Sequence, residues 1–164
     1  SEAPTRIGND ILIMIGSQVG SGAMLGDHGV FANFTRIGAG ANVADYVVTS
    51  GFVTVGDGVS VGAYTFVSGY AAIETDVPPY AIVQGFPLRV RGVNTTNLRR
   101  CGFDDDHIRA LKDAFRELFN GSDSLADLDA LRSLPRELKS NPHVVRLIEA
   151  VRRSAARPKE SADE

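Results

Sequence analysis

Tryptophan is absent from this sequence of 164 residues, which also holds one cysteine and three histidines. A single cysteine excludes both a disulfide framework and a thiolate metal site, and it is typical of the reducing cytoplasm. No apolar run reaches the ~18 residues that a membrane-spanning helix needs. The net charge of −3 lacks the basic excess that nucleic-acid binding requires. We therefore expect a soluble cytoplasmic protein with no membrane span and no nucleic-acid partner.

Charge and glycine are distributed unequally along the chain. Residues 1–88 contain two Lys or Arg and seven Asp or Glu, whereas residues 89–164 contain 15 and 13. Fifteen of the 17 glycines lie at or before Gly92. A glycine-rich, nearly uncharged segment is thus followed by a charged segment with little glycine. This change predicts two domains, residues 1–88 and residues 89–164.

The first segment has an apolar residue at every sixth position, and only Thr49 departs from this rule. The positions are Ile7, Ile13, Val19, Leu25, Phe31, Ile37, Val43, Thr49, Val55, Val61, Val67 and Ile73. Neither a helix, with its period of about 3.6, nor a flat strand, with its period of about 2, has this spacing. A six-residue period is typical of a parallel β-helix, in which three short strands make one coil of about 18 residues.

A small residue follows most of these positions and lets the backbone turn a corner. It is Gly, Ala or Ser in ten of the twelve repeats. The repeats predict about four coils, in which each inward side chain stacks on its equivalent in the next coil. A bare first coil would expose strand edges, so we expect further coils before Ser1. The period does not determine the hand of the coil.

The second segment has helical spacing. Asp104, Asp105 and Asp106 precede a predicted helix whose apolar residues fall on one face, and Gly121 is expected to end it. Those apolar residues are Ile108, Leu111, Phe115, Leu118 and Phe119. A second helix is predicted from about Leu125 to Leu134, before Pro135, and a third from Pro142 to Arg157. This pattern predicts a small helical domain beside the end of the β-helix.

Several motifs of this chain resemble the UDP-N-acetylglucosamine O-acyltransferase family of hexapeptide-repeat enzymes. Beyond the repeats, they are Asp76-Val77-Pro78-Pro79-Tyr80, Gln84-Gly85, Gly92-Val93-Asn94, Leu98-Arg99-Arg100 and Gly102-Phe103. The resemblance implies a left-handed parallel β-helix with a C-terminal helical domain, assembled as a homotrimer. It also implies transfer of a 3-hydroxyacyl chain from acyl carrier protein to UDP-N-acetylglucosamine, the first step of lipid A synthesis. No cofactor and no metal are expected.

The chain departs from the family where the family carries its histidine base. Ser21 stands at the base position, with Gln18 and Gly22 in place of its companions, and Gly40 and Gly56 replace two further histidines. A serine hydroxyl is not a base at neutral pH without a neighbour that deprotonates it. Asp57 on the same corner column and His28 on another corner are the weak substitutes. Both also fit plain structural positions in corners of the β-helix.

Other family positions are better preserved. Asn94 and Arg100 match residues near the nucleotide-sugar, and Asp57 is a third candidate for substrate binding, although Cys101 replaces a second basic residue. Phe66 and Gly69 match the region that measures acyl length. A basic set around the junction would attract an acidic carrier protein, or would simply form a solvated face. That set is Arg89, Arg91, Arg99, Arg100 and Arg109.

Three functions stay open on the sequence. The first is an acyltransferase of the lipid A type that is divergent, defective or equipped with another base. The second is a non-catalytic homologue that binds nucleotide-sugar or acyl carrier protein. The third is a hexapeptide acyltransferase that uses acetyl-CoA.

Overall fold

The computed structural model describes residues 3–119 and 126–157, which form a parallel β-helix followed by helices. Twelve two-residue strands recur every six residues and complete four coils. They are β1 (Arg6–Ile7), β2 (Leu12–Ile13), β3 (Gln18–Val19), β4 (Met24–Leu25), β5 (Val30–Phe31), β6 (Arg36–Ile37), β7 (Asn42–Val43), β8 (Val48–Thr49), β9 (Thr54–Val55), β10 (Ser60–Val61), β11 (Phe66–Val67) and β12 (Ala72–Ile73). The six-residue period and the mainly β fold class are confirmed.

The strands stack into three parallel sheets because equivalent residues lie one coil apart. Sheet A has the order β1-β4-β7-β10, and sheet C has the order β12-β9-β6-β3. Sheet B contains β2, β5, β8 and β11. In each pair the register joins residues 18 apart, as in Met24 with Asn42 and Leu25 with Val43. The second residue of every strand points inward, and from Leu25 onward these side chains are buried.

Corner residues take up left-handed backbone conformations, and in two columns they are aromatic. One column stacks His28, Tyr46, Tyr64 and Tyr80, with centroid distances of 4.6, 4.8 and 5.8 Å. The other stacks Phe34, Phe52 and Tyr70 at 5.1 and 5.2 Å. Gly16 begins the second column, where a Cβ atom would collide with the ring of Phe34. These ladders brace the corners of successive coils.

A β-hairpin, which the six-residue period did not predict, closes the β-helix. Strand β13 (Ala81–Gln84) pairs in parallel with β11, and β14 (Arg89–Val93) pairs antiparallel with β13 as the outermost strand of sheet B. The predicted domain boundary near residue 88 falls within this hairpin. The division into residues 1–88 and 89–164 stays a prediction.

Helices follow the hairpin. They are α1 (Thr95–Arg100), α2 (Asp105–Leu118), α3 (Leu128–Ser133), α4 (Arg136–Lys139) and α5 (Pro142–Ala156). The predictions for α2 and α5 are confirmed, whereas α1 and α4 were not predicted. The predicted second helix is shorter, Leu128–Ser133, and its expected start at Leu125 lies outside the described residues, as does the expected stop at Gly121. Helix α2 packs on β14 and α5, so the core continues from the coils into the helices.

No helix in the described ranges is both long and apolar enough to cross a membrane.

Candidate functional site

Ser21 lies at an exposed corner between sheets C and A. Its carbonyl oxygen accepts the Gly40 N–H at 2.8 Å, and the Ala39 oxygen accepts the Gly58 N–H at 2.8 Å, so the corner column is tied coil to coil. Gly40 and Gly58 both have positive φ, near +64° and +65°. The backbone of this corner is therefore tightly turned and hydrogen-bonded from coil to coil, and residue 21 is exposed on it.

Asp57 shares this column but lies two coils beyond Ser21. Its Oδ1 accepts the backbone N–H of Ala39 at 2.9 Å, one coil back. The same arrangement recurs at the next corner, where Asp27 accepts from Asn9 and Asp45 accepts from Asp27. The Asp57 carboxylate thus accepts a backbone hydrogen bond that stabilises the corner. Ala39 lies between Asp57 and Ser21 in the column.

His28 lies on a different corner from Ser21, between sheets A and B. Its Nδ1 is 3.5 Å from Oδ2 of Asp10, and its ring stacks on Tyr46. The side chain is 42% exposed. The structure therefore brings Ser21 and Asp57 to one column and leaves His28 outside it.

Asn94 is buried and holds the start of helix α1. Its Nδ2 donates to the Tyr64 carbonyl at 2.9 Å, and its Oδ1 accepts the Asn97 N–H at 3.4 Å. The backbone N–H of Asn94 also donates to the Tyr80 carbonyl at 2.7 Å. Both polar ends of the side chain are hydrogen-bonded, so Asn94 joins the helix to the stacked corner residues Tyr64 and Tyr80.

Arg100 is exposed in the last turn of α1, and no carboxylate lies within ion-pair distance of it in the described part of the chain. Its neighbour Arg99 pairs instead with Asp105, Nε to Oδ1, at 3.3 Å. Burial raises the pKa of the Cys101 thiol, which the Arg100 charge opposes more weakly. Cys101 is therefore a protonated, poorly nucleophilic thiol at neutral pH.

Phe66 lies on the outer surface of sheet B, and Gly69 lies at the corner that follows. Phe66 is half-buried in β11 between Val48 and Ile82 of the neighbouring strands. Gly69 follows at the next corner, where a Cβ atom would lie 3.3 Å from the Gly51 carbonyl oxygen. The two positions are close along the chain, and Gly69 directly precedes Tyr70, which is exposed.

One polar cluster, where the helices meet the end of the β-helix, was not predicted from the sequence. The Tyr80 hydroxyl lies 3.3 Å from Nδ1 of His143, and the His143 ring contacts Phe103 and His107 with centroids at 4.6 and 4.9 Å. Burial, the nearby His107 and Arg146 lower the pKa of His143. Tyr80 and His143 are 63 residues apart in the sequence, so no local sequence pattern could have predicted this contact.

Metal ligands are not gathered anywhere in residues 3–119 and 126–157, where no group of three His, Cys, Asp or Glu side chains could hold an ion.

Comparisons with known proteins identify the family. A profile described as UDP N-acetylglucosamine O-acyltransferase, domain 2, matches residues 76–158. An acyl-[acyl-carrier-protein]–UDP-N-acetylglucosamine O-acyltransferase of Fusobacterium nucleatum subsp. nucleatum is 49% identical over 150 residues, 92% of this chain and 58% of that protein. The enzyme of the same name from Neisseria gonorrhoeae is 40% identical over 116 residues, 71% of this chain and 45% of that protein.

Solved structures agree with this assignment. The crystal structure of UDP-N-acetylglucosamine O-acyltransferase from Moraxella catarrhalis superposes with a TM-score of 0.81 at 30% identity, covering 92% of this chain and 58% of that one. This chain thus spans about half the length of these relatives. By its repeats, its junction motifs and its matched helical part, the chain belongs to the UDP-N-acetylglucosamine O-acyltransferase family.

Proposed function

We propose that this chain serves the transfer of a 3-hydroxyacyl group from an acyl carrier protein to a sugar hydroxyl of UDP-N-acetylglucosamine, the first step of lipid A synthesis. The observation that carries the proposal is the 49% identity to a Fusobacterium nucleatum protein whose name states this donor and this acceptor. The thioester already activates the acyl group, so the reaction calls for no cofactor. A cytoplasmic location is part of the proposal and agrees with the single cysteine.

The chemistry needs a proton acceptor near the sugar. The sugar oxygen attacks the thioester carbonyl, a C–O bond forms, the C–S bond breaks, and the hydroxyl proton ends on the released thiol. A positioned base speeds the attack by taking that proton. Ser21 does not supply this function by itself. Asp57 is the first alternative to test because it shares the corner column with Ser21, and His28 is the second.

The experiment is product formation from UDP-N-acetylglucosamine and a 3-hydroxyacyl carrier protein, with Ser21→His assayed beside the unaltered chain. Activity gained by Ser21→His alone would support an acyltransferase whose remaining site is intact. Ala39→His, one coil away on the same column, is the matched control and is expected to stay inactive. Activity of the unaltered chain that Asp57→Asn abolishes would support the proposal with a different base.

Two results would contradict the proposed transfer. If the unaltered chain and Ser21→His both bind the nucleotide-sugar but form no product at any pH, the chain is a non-catalytic homologue. Preference for acetyl-CoA as acyl donor would indicate a different hexapeptide acyltransferase.

Arg100 is the residue we propose for the diphosphate of the nucleotide-sugar. Its guanidinium is exposed and presents forked donors that suit phosphate oxygens. Arg100→Ala is expected to raise the KM for UDP-N-acetylglucosamine about tenfold, the size of one lost charge-assisted contact of ~1.4 kcal/mol. Arg99→Ala is the control, because Arg99 is occupied by Asp105. Asn94→Ala is a poorer test, since it also removes the cap of α1.

The acyl chain is proposed to run along the outer face of sheet B beside Phe66 and Gly69. The half-buried Phe66 ring would narrow the space for the chain. Phe66→Ala is therefore expected to shift the preferred donor toward longer acyl chains, which a competition between donors of different length would measure. An unchanged preference would remove Phe66 from the acyl site.

A further inference from the structure

One aromatic column of the β-helix leads from the protein surface to the polar cluster beside the helices. Its rings are His28, Tyr46, Tyr64 and Tyr80, with centroid distances of 4.6, 4.8 and 5.8 Å. The outer members are exposed or half-buried, whereas Tyr80 is completely buried. Rings at such distances are stacked in contact, so an electron passes from one to the next through overlapping π systems. The column therefore connects a buried tyrosine electronically with the surface.

The inner end of this column is a hydrogen-bonded pair. The Tyr80 hydroxyl lies 3.3 Å from Nδ1 of His143. Burial raises the pKa of Tyr80, and the charge and hydrogen bonding of Arg146, one turn along α5 from His143, oppose the rise. Because a guanidinium has donors and no acceptor, the Tyr80 oxygen accepts from Arg146, and its own hydrogen is directed to Nδ1 of His143.

At neutral pH the imidazole of His143 is uncharged and can accept a proton at Nδ1. The charged or titratable groups that face it are His107 of α2, Arg146 of α5 and the Tyr80 hydroxyl. Burial, followed by the charges of His107 and Arg146, lowers the pKa of His143. No carboxylate in the described part of the chain forms an ion pair with it. The ring therefore keeps a lone pair on Nδ1, which the Tyr80 hydroxyl faces.

We propose that Tyr80 and His143 form a proton-coupled redox pair, to which the stacked rings carry oxidising equivalents from the surface. An outer-sphere one-electron oxidant removes one electron through the column, and the hydroxyl proton of Tyr80 moves to Nδ1 of His143. The products are a neutral phenoxyl radical on Tyr80, an imidazolium on His143 and the reduced oxidant. A one-electron reductant such as ascorbate returns the electron, and the proton moves back. This activity is independent of the proposed acyl transfer.

Tyr80 differs from the other three tyrosines in having a proton acceptor. Removal of an electron makes a phenol strongly acidic, so a base at the hydroxyl lowers the potential at which the phenol is oxidised. In the described ranges no imidazole is hydrogen-bonded to the hydroxyl of Tyr46, Tyr64 or Tyr70. Complete burial also separates the radical from dissolved reactants, which lengthens its life. An oxidation that begins at an exposed ring of the column is therefore expected to end at Tyr80.

The test is oxidation of the full chain by photogenerated tris(bipyridine)ruthenium(III) at neutral pH, with the tyrosyl radical followed by transient absorption and electron paramagnetic resonance. The unaltered chain is expected to form a long-lived radical more slowly in heavy water than in water. His143→Phe keeps a ring but has no proton acceptor, and is expected to slow this step about a hundredfold, within the range of a positioned base. Tyr80→Phe is expected to abolish the long-lived radical. Phe34 and Phe52 already occupy equivalent left-handed corners, so a phenylalanine is compatible with the fold there.

Tyr70→Phe is the matched control, because Tyr70 is exposed, belongs to the other column and, among the described residues, has no imidazole partner. It is expected to leave the long-lived radical unchanged. Loss of that radical in Tyr70→Phe but not in Tyr80→Phe would overturn the proposal, as would a His143→Phe protein that forms it as fast as the unaltered chain. An equal rate in heavy water and in water would also overturn it, and this measurement needs no variant. Circular dichroism checks that the variants keep the fold.

Discussion

Thr49 is the one position of the six-residue period that is not a hydrocarbon, and in the structure it lies in a polar pair inside the β-helix. Its Oγ1 is 2.8 Å from Oγ1 of Thr35 and accepts the Ala32 N–H at 3.2 Å. Thr35 and Thr49 are 1% and 2% exposed. The hydroxyls therefore satisfy each other and a backbone donor where no solvent reaches.

Thr49→Val restores the apolar pattern but is expected to destabilise the protein. The substitution removes the acceptor of the Ala32 N–H, whereas the Thr35 hydroxyl keeps its hydrogen bond to the Ala32 carbonyl at 2.7 Å. A buried donor left unpaired costs about 1–3 kcal/mol. Urea unfolding followed by circular dichroism measures the change. Thr54→Val, on the exposed outer face of β9, is the control and is expected to change stability by less than about 0.5 kcal/mol. A Thr49→Val protein as stable as the control would show that the pair is dispensable.

His143 makes stability depend on pH because burial, His107 and Arg146 lower its pKa below the ordinary value of 6.5. The unfolded chain takes up a proton near that value, whereas the folded chain resists it. The free energy of unfolding is therefore not reduced by His143 above pH 6.5. It falls as the pH drops through that value toward the pKa of His143 in the folded chain. The Tyr80 hydroxyl and the rings of Phe103 and His107 surround the imidazole that must be charged.

The expected result is a Tm that falls between pH 7.5 and pH 5.5 by about 2–4 °C for each kcal/mol lost. His143→Phe keeps a ring in the cluster, cannot titrate, and is expected to show a smaller fall. His28→Gln, which removes an exposed imidazole, serves as the control and should follow the unaltered chain. An identical pH profile for His143→Phe would assign the acid sensitivity to other groups.

At the scale of elements, the end of helix α5 is fastened to the last coil by one carboxylate. Asp76 Oδ1 accepts from Arg157 Nη1 at 2.6 Å and from the Ser60 N–H at 2.8 Å. The Asp76 side chain is 14% exposed, whereas Arg157 is 53% exposed. The Asp76 carboxylate thus accepts hydrogen bonds both from the coil and from the residue that ends α5, whereas Arg157 makes only the contact with Asp76.

Asp76→Ala is consequently expected to cost more stability than Arg157→Ala. Loss of the exposed guanidinium removes about 0.2–1 kcal/mol, whereas loss of the shielded carboxylate leaves a backbone donor unpaired and costs about 1–3 kcal/mol. Chemical unfolding of both variants gives the comparison. A larger effect of Arg157→Ala would mean that the ion pair, and not the backbone bond, dominates this contact.

The repeated elements could be predicted from the sequence, but the elements that close the fold could not. Coils stacked at a fixed spacing require an apolar residue at every inward position, so one six-residue period was enough to predict twelve strands. The hairpin of β13 and β14 has a different register and a bulge at Arg91, which no period encodes. Helix α4 is four residues long and begins after Pro135, too short to form a recurring apolar face.

In the candidate site, too, the repeat positions could be predicted from the sequence and the contacts between distant segments could not. The corner that carries Ser21 and Asp57 follows from counting residues along the coils, since equivalent positions must align. The hydrogen bond from Ala39 to Asp57, the use of both ends of Asn94 and the contact of Tyr80 with His143 depend on side-chain direction and on contacts between distant segments. The roles proposed for Arg100, Phe66 and Gly69 remain predictions.

At the scale of the whole molecule, the outer face of sheet B differs from the other two faces. Its outward residues are Leu12, Val30, Val48, Phe66 and Ile82, and the exposed rings of Phe34, Phe52 and Tyr70 border it. Sheet A shows Arg6, Met24, Asn42 and Ser60 instead. A continuous outward row of apolar side chains favours burial against other subunits, and we propose on this ground that the chain forms a homotrimer.

Light scattering is expected to give about three times the chain mass of 17.5 kDa. Phe52→Glu puts a charge on the ring that is 51% exposed in the single chain, and is expected to shift the protein toward monomer. Thr54→Glu, at an exposed outward position of sheet C, should leave the assembly intact. A stable monomer of the unaltered chain would contradict the trimer.

The aromatic ladders also give the protein an optical signal of its own. All four tyrosines, Tyr46, Tyr64, Tyr70 and Tyr80, lie in stacked columns, and no tryptophan masks their emission. Tyr80 additionally contacts Phe103 and His143 of the helical part. Near-ultraviolet dichroism and tyrosine fluorescence therefore report on coil stacking and helix docking together, without a label or an added chromophore.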